Sequence, residues 1–286
     1  MRILNNFDLH NHSNASDGLL PAADLVALAA RNGCDAIALT DHDTTDGIAS
    51  GRTAALDLGL KFIAGVEISV SWSPTIDAKS TTLHIVGLGV DIENNTLASG
   101  LHSIRQGRFD RAKLMGDDLA RVGINGMFDA AYALAENKTM LGRTHFARAL
   151  VNAKHVTSVG KAFERYLTYG RPGFVSHQWA SLSASINWIR NAGGIAVIAH
   201  PGRYNISKSD MTSLLAEFKE LGGAAIEVIT GSHTPQQYRE YAARAREFGF
   251  MASRGADYHG SGESHIEPGK LPLLPDDLMP VWSQLQ

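Results

Sequence analysis

The sequence predicts an α/β barrel of parallel strands interrupted by an all-helical insertion. Three observations carry this expectation. Strand-like and helix-like segments alternate from the start to about residue 95, residues 96–180 read as consecutive helices with no convincing strand, and the alternation resumes after residue 181. Repeated strand–helix units of this length indicate parallel strands joined by crossover helices. Six or seven such units suit a (β/α) barrel better than a short open sheet. The barrel is expected over residues 1–95 and 181–286, with 96–180 as a helical cap.

Residues 7–10 read as a short strand. The apolar residues of 21–32 recur at helical spacing, with Pro21 at a first helical position and Gly33 after the end. Residues 35–40 form a buried strand and 48–58 a helix. Residues 61–71 and 82–90 are strands rich in Val and Ile, and the SWSPTIDAKSTT stretch between them is a loop with turn chemistry. Residues 97–122, 127–135, 144–153 and 158–169 are the inserted helices. After them, helix 183–191 leads through Gly193-Gly194 to strand 195–199. Helix 209–221 leads to strand 224–229, and helix 235–248 to strand 250–254.

Composition narrows the function. The chain has 286 residues, 44% hydrophobic, with 29 acidic against 26 basic side chains and a formal charge of −3. That suits a globular chain and argues against electrostatic coating of long duplex nucleic acid, while leaving a short nucleotide substrate open. No apolar run approaches the roughly 18–20 residues of a membrane helix. The first ten residues carry no apolar stretch with a small-residue cleavage site, so no secretory signal is expected and a cytoplasmic location is. The single cysteine, Cys34, excludes an internal disulfide framework and thiolate zinc motifs, and is read as structural.

The 12 histidines are placed informatively. His10-x-His12 falls at the end of the first strand, Asp17 shortly after, and Asp41-His42 after the second. Glu67 lies near the end of the third, His84 in the fourth, His200 after 195–199, and Asp257-x-His259 after the last. Strand ends of a parallel barrel converge on one face, where active sites lie. Each motif alone has a structural reading: a surface strand for HxH, helix-capping acids for 40–43, a satisfied core histidine for His84. Six strand ends all bearing N/O ligands are another matter. His10, His12, Asp17, His42, Glu67, His84, His200, Asp257 and His259 make six imidazoles and three carboxylates with no thiol. That set suits zinc, manganese or iron, and exceeds what one ion can use.

These residues match a known family. His10-x-His12, Asp17-Gly18, Thr40-Asp41-His42, Gly65-Val66-Glu67, His84, Ala199-His200-Pro201 and Asp257-x-His259 resemble the polymerase and histidinol phosphatase (PHP) superfamily of metal-dependent phosphoesterases. The helical insertion resembles the subgroup that hydrolyses nucleoside 3′,5′-bisphosphates, whose relatives include 5′-to-3′ exoribonucleases. The resemblance implies a distorted (β/α)7 PHP barrel with an inserted all-helical subdomain and two or three divalent ions, manganese foremost, with zinc, iron or magnesium as alternatives. His10, His12, Glu67 and Asp257 would hold the first ion, and Glu67 as a bridge with His84 and His200 the second. Asp17, His42 and His259 would hold the third. Some members carry histidine in place of Asp17, and a carboxylate there favours manganese or magnesium.

The chemistry follows from the ligands. Paired ions supply nucleophile and electrophile together, so His10, His12, Glu67, His200 and Asp257 are the expected catalytic set and no Ser or Cys nucleophile is needed. Asp41 and Asp43 are candidates to orient ligand histidines from behind, with helix capping the other reading of Asp43. Phosphate also needs cations. Arg143, in LGRTH at a helix start, and Arg171, in the YGRPG loop, are the leading candidates for a second phosphate, with His145 and Arg203 behind them. Phe174, Trp179 and Tyr204 could stack a base. His102, His155, His177, His233 and His265 receive no role.

The expected reaction is removal of the 3′-phosphate of a nucleoside 3′,5′-bisphosphate, such as adenosine 3′,5′-bisphosphate to AMP, with trimming of short 5′-phosphorylated RNA as the close variant. A histidinol-phosphate phosphatase is a second enzyme reading, which the insertion argues against. A non-catalytic PHP interaction module is the alternative of another class, and nine filled ligand positions argue against it.

Overall fold

A computed structural model describes residues 6–75 and 77–285 of the chain. The start of the amino-terminal stretch and Ile76 of the 71–82 loop lie outside the described residues. Seven strands follow chain order in one sheet: β1 (Phe7–Asp8), β2 (Ala36–Leu39), β3 (Lys61–Trp72), β4 (Thr81–Leu88), β5 (Ile195–Ile198), β6 (Ala225–Thr230) and β7 (Met251–Gly255). Strands β2, β5 and β6 are short apolar runs buried on both faces, the pattern parallel strands take when helices cover them. The edges β1 and β7 meet: Leu9 N–H donates to Arg254 O (2.9 Å), Asp257 N–H to His10 O (2.8 Å) and His12 N–H to Tyr258 O (3.0 Å). The sheet is thereby a nearly closed barrel. Gly255 permits this seam, since a Cβ there would lie 2.3 Å from His10 Cβ and 2.6 Å from its backbone N.

The outer layer is α1 (Ala22–Arg31), α2 (Ile48–Leu58), α8 (Leu182–Asn191), α9 (Lys208–Glu220) and α10 (Pro235–Phe248). In α1 the buried residues are Ala22, Leu25, Val26 and Ala29, the i, i+3, i+4, i+7 stripe of a helix with one apolar face. Each buried Leu or Val of such a stripe contributes about 1.5–3 kcal/mol.

One expectation fails. The strands are not all parallel: β4 runs antiparallel to both β3 and β5. The connection from β3 to β4 is a loop rather than a crossover helix, so the chain reverses direction. The reversal has a useful result, because the start of β4, with His84 as its fourth residue, shares a rim with the carboxyl ends of the parallel strands.

The helices between β4 and β5 are α3 (Asn95–Gln106), α4 (Arg108–Arg121), α5 (Met127–Leu134), α6 (Arg143–Asn152) and α7 (Val159–Ala162), the last continuing as a π-helical turn, Phe163–Leu167. The single helix expected over 97–122 is broken at Gly107. Glycine costs about 1 kcal/mol inside a helix relative to alanine, and here a Cβ would lie 2.4 Å from the His177 ring. The break separates two cores. Leu97, Leu101 and Ile104 of α3 join the barrel core with Ile186 and Ile189, whereas Met115 and Leu119 of α4 pack with Met127, Phe146, Leu150 and Leu167.

Candidate metal centre

The nine N/O residues converge on the rim where the strands end. Glu67, fully buried in β3, is the hub. Its Oε1 lies 3.3 Å from His10 Nε2, 3.0 Å from His84 Nδ1 and 2.9 Å from His200 Nε2, and its Oε2 lies 3.3 Å from His12 Nε2 and 2.8 Å from His42 Nδ1. Asp257 Oδ1 is 3.3 Å from His12 Nε2 and 3.6 Å from His10 Nε2. On the other side Asp17 Oδ1 is 3.3 Å from His259 Nε2 and 3.9 Å from His42 Nε2. Three overlapping groups result: His10, His12, Glu67 and Asp257; His42, Glu67 and His84; His12, Asp17, His42 and His259.

These donor sets fit divalent cations. Four donors about 2.0–2.2 Å from a tetrahedral ion stand ~3.4 Å apart, and the measured spacings cluster there. Buried atoms at this spacing normally hydrogen-bond, yet Glu67 Oε2, Asp17 Oδ1, His42 Nδ1 and His12 Nδ1 have no hydrogen-bond partner. Their lone pairs meet at common points instead of pairing. The electrostatics agree. Burial alone would raise the Glu67 carboxyl, but the facing imidazoles of His84, His42 and His10 hold it well below its usual range. Burial would likewise depress His12, but the facing carboxylates of Asp257 and Glu67, each 3.3 Å away, carry it to about 10, so protons take up charge that a cation would neutralise.

Backbone strain concentrates here. Four non-glycine described residues have positive φ, and three of them, Asp43 (+46°), His200 (+28°) and Asp257 (+52°), stand at the cluster. Such conformations cost of order 1–3 kcal/mol each and persist where surrounding bonds fix them. Tyr204 is one fixing element: its hydroxyl accepts from His84 N–H (2.9 Å) and donates to Ala199 O (2.7 Å), tying the start of β4 to the end of β5.

The cluster floors a cleft of about 720 Å3, counting its open mouth, between the barrel rim and the inserted helices. Its wall carries Arg108, Arg111, Arg143 and Arg203 together with Trp179 and Phe163. Arg108 and Arg111 stand over the Trp179 ring at 4.8 and 5.5 Å, and Arg143 lies 5.7 Å from the Phe163 ring centre. Burial, with Arg143 and Arg108 beside it, pushes the Arg111 guanidinium down to about 9. Burial with Arg203 and Arg108 pushes Arg143 down to about 10. Crowding of this kind is relieved by an anion among the guanidiniums.

A PHP domain model matches residues 8–258, which is most of the chain and takes in every residue of the cluster except His259. The chain belongs to the PHP family. Within it, the chain is 45% identical to a 3′,5′-nucleoside bisphosphate phosphatase of Chromobacterium violaceum, over 98% of this chain and 96% of the relative. It is 40% identical to a 5′-3′ exoribonuclease of Haemophilus influenzae, over 97% and 98%. Among solved structures, an amidohydrolase from Chromobacterium violaceum with bound sulfate and no metal superposes with a TM-score of 0.93 at 45% identity, covering 98% of this chain and 95% of that one.

All nine expected PHP ligand residues are brought together, but the grouping differs: His12 also joins Asp17, His42 and His259, His200 lies 2.9 Å from Glu67 yet outside the three groups, and His42 takes part in two of them. His42 reaches Glu67 through Nδ1 as well as Asp17 through Nε2, so it stands between two groups rather than in one. Arg143 and Arg203 line the cleft as expected. Arg171 does not: it is exposed in its loop and absent from the cleft wall. His145 is buried behind the wall, its Nδ1 accepting from Gly142 N–H (3.2 Å), so it fixes the start of α6. Among the aromatics, Trp179 lines the cleft, Phe174 packs on Tyr169, and the Tyr204 hydroxyl is spent on the backbone. Neither the Asp41 nor the Asp43 carboxylate hydrogen-bonds to an imidazole of the cluster. Asp41 takes Ser13 N–H, Ser13 Oγ and Ser16 Oγ, while Asp43 takes Ser69 N–H, Ser69 Oγ and Arg108. Sequence reasoning missed Arg108, Arg111 and the buried Glu227, which hydrogen-bonds to His10 of the cluster.

Proposed function

We propose that the chain is a metal-dependent phosphoesterase that removes the 3′-phosphate of nucleoside 3′,5′-bisphosphates, such as adenosine 3′,5′-bisphosphate to AMP and phosphate. The observation that carries this is one cleft lined by seven residues of the cluster together with four arginines, with His10 and His12 buried beneath it. One phosphate is bound at the cluster and the other among the guanidiniums, whose planar donors grip phosphate oxygens in pairs. The relative named as a bisphosphate phosphatase supports the same reading.

His10, His12, Glu67 and Asp257 would hold one divalent ion, Glu67 with His84 and His200 a second, and Asp17, His42 and His259 a third. When bound, such ions activate water and neutralise charge on the phosphoryl oxygens, manganese being the metal we favour. Hydrolysis joins a water oxygen to phosphorus and breaks the bond from phosphorus to the 3′-oxygen, which receives a proton. Arg108 and Arg111, backed by Trp179, orient the second phosphate, and Arg143 closes over it from the start of α6. Residues 96–180 thus act as the substrate cap, on a barrel of 1–95 and 181–286. No helix of the described residues is long and apolar enough to cross a membrane. A nucleotide substrate and a single buried cysteine support a cytoplasmic location.

The test compares adenosine 3′,5′-bisphosphate with 3′-AMP at equal concentration. This reading predicts a kcat/KM preference of at least tenfold for the bisphosphate, and equal values would overturn the two-phosphate assignment.

A second substrate, short 5′-phosphorylated RNA, is favoured by a second cavity. It shares Thr144, Phe163, Arg203, Asp257 and His259 with the first and extends to Ser232, Ser264 and His265. A phosphodiester carries a further nucleoside on the scissile phosphate, and this space adjoins the cluster where that nucleoside would lie. The exoribonuclease relative supports it.

A further inference from the structure

Glu227 lies in the middle of β6 within an otherwise apolar run, AIEVIT, and is 1% exposed. Its two oxygens are both engaged at the cluster. Oε1 is 2.8 Å from His10 Nδ1, and Oε2 accepts from the backbone N–H of His200 at 2.6 Å. The strand is irregular here: Glu227 pairs with Ser253 but Ile229 with Arg254, so β6 carries one extra residue, Val228, against β7. Bulges of this kind re-aim a side chain and recur beside active sites.

We infer that Glu227 is a positioning residue that sets two metal-ligand histidines at once, His10 by its ring and His200 by its backbone. The inference rests on the metal reading of the cluster. A carboxylate is acceptor only, so the hydrogen bond requires the proton of His10 on Nδ1. The Nε2 lone pair then faces His12 Nε2 (3.1 Å), Glu67 Oε1 (3.3 Å) and Asp257 Oδ1 (3.6 Å), the direction in which an ion is bound. Partners of this sort fix ring orientation and tautomer in metal-bound histidines. The second oxygen answers a different need. His200 holds φ +28°, ψ +56°, and the grip on its N–H keeps the ring aimed so that Nε2 stays 2.9 Å from Glu67. The single carboxylate therefore joins a residue that would hold the first ion to one that would hold the second.

Glu227→Gln separates this from general packing, because it keeps the size and removes one acceptor. Its amide can accept from one of the two partners and must face the other with N–H. Either His10 is driven to the opposite tautomer, with its proton turned on the ion, or His200 is displaced. The experiment strips the full-length protein with chelator, then measures Mn2+ affinity and stoichiometry of wild type and Glu227→Gln by competition with an indicator, alongside the melting temperature of each metal-free protein. Expected is a 10–100-fold loss of Mn2+ affinity at an unchanged metal-free melting temperature. Equal affinities would overturn the inference, and a wild type that binds no Mn2+ would instead overturn the metal reading. Should the variant not fold, imidazole 15N spectra of the Zn2+-loaded wild type decide: a proton on His10 Nδ1 supports the inference, and a metal on Nδ1 overturns it.

Discussion

Arg108, the first residue of α4, donates to the carboxylate of Asp43, the neighbour of His42 in the loop after β2. The same carboxylate takes Ser69 N–H at 2.7 Å, and the Asp43 carbonyl takes Arg105 at 2.8 Å. Asp43 thus clasps the helices to the loop that carries a cluster histidine, and it leaves the other face of Arg108 toward the cleft.

Arg108 also lines the cleft, so its removal is expected to act on the substrate's second phosphate more than on the chemistry. Arg108→Ala is expected to lower kcat/KM for adenosine 3′,5′-bisphosphate about 10–100-fold, since a hydrogen bond to a charged group is worth about 1.5–3 kcal/mol. A substrate with one phosphate, such as p-nitrophenyl phosphate, should lose less than threefold. Equal losses on both would place Arg108 in the hydrolytic step itself.

The second cavity makes a separate prediction. Ser232 borders it and not the first cleft. Ser232→Trp should cut mononucleotide release from a 5′-phosphorylated RNA trimer by tenfold or more while phosphate release from the bisphosphate stays within twofold. Unimpaired RNA cleavage would show that the chain of an RNA leaves by another route.

His145 supplies a pH dependence. Burial, against the weaker pull of Asp17, lowers its pKa from 6.5 to about 4, and its Nδ1 must stay unprotonated to accept from Gly142 N–H. The unfolded chain binds the proton first. Stability from this residue is complete above pH 6.5 and is lost as pH falls toward 4, about 2 kcal/mol of it between pH 7.5 and 5. His145→Asn keeps an acceptor without a titrating ring, so denaturant unfolding at the two pH values should show a correspondingly smaller drop than wild type. An identical drop would assign the acid sensitivity elsewhere.

The barrel seam is tested at Gly255. A methyl group there meets the His10 backbone, which has no flexible side-chain end to yield. Gly255→Ala should destabilise the protein by about 1–3 kcal/mol, the usual cost of overpacking, and weaken Mn2+ binding with it. A melting temperature and affinity equal to wild type would mean that β1 and β7 part without cost.

What the sequence made legible followed from period and position. Buried runs such as AIAL and IAVI announce parallel strands, and most of the cluster residues could be placed because they follow such a run, Glu67 and His84 lying inside their strands. The direction of β4 was misjudged, since alternation reads the same both ways, although the 71–82 stretch already lacked the crossover helix that a parallel partner needs. The cleft arginines were hidden for another reason. Arg108 and Arg111 occupy the stripe that Ala112, Met115 and Leu119 continue, so they sit on the buried face of α4. Charge on a helix is ordinarily read as its wet side. A carboxylate inside AIEVIT was the available sign of Glu227, and it carried no motif to draw notice.

The most direct measurement is made on chelator-stripped protein reloaded with Mn2+ and given adenosine 3′,5′-bisphosphate, with bound metal counted in the same sample. The account predicts two or three ions per chain, release of phosphate with AMP as product, and loss of both a metal and activity in His10→Ala. Protein that binds no metal, or that binds it and leaves the bisphosphate intact, would contradict it.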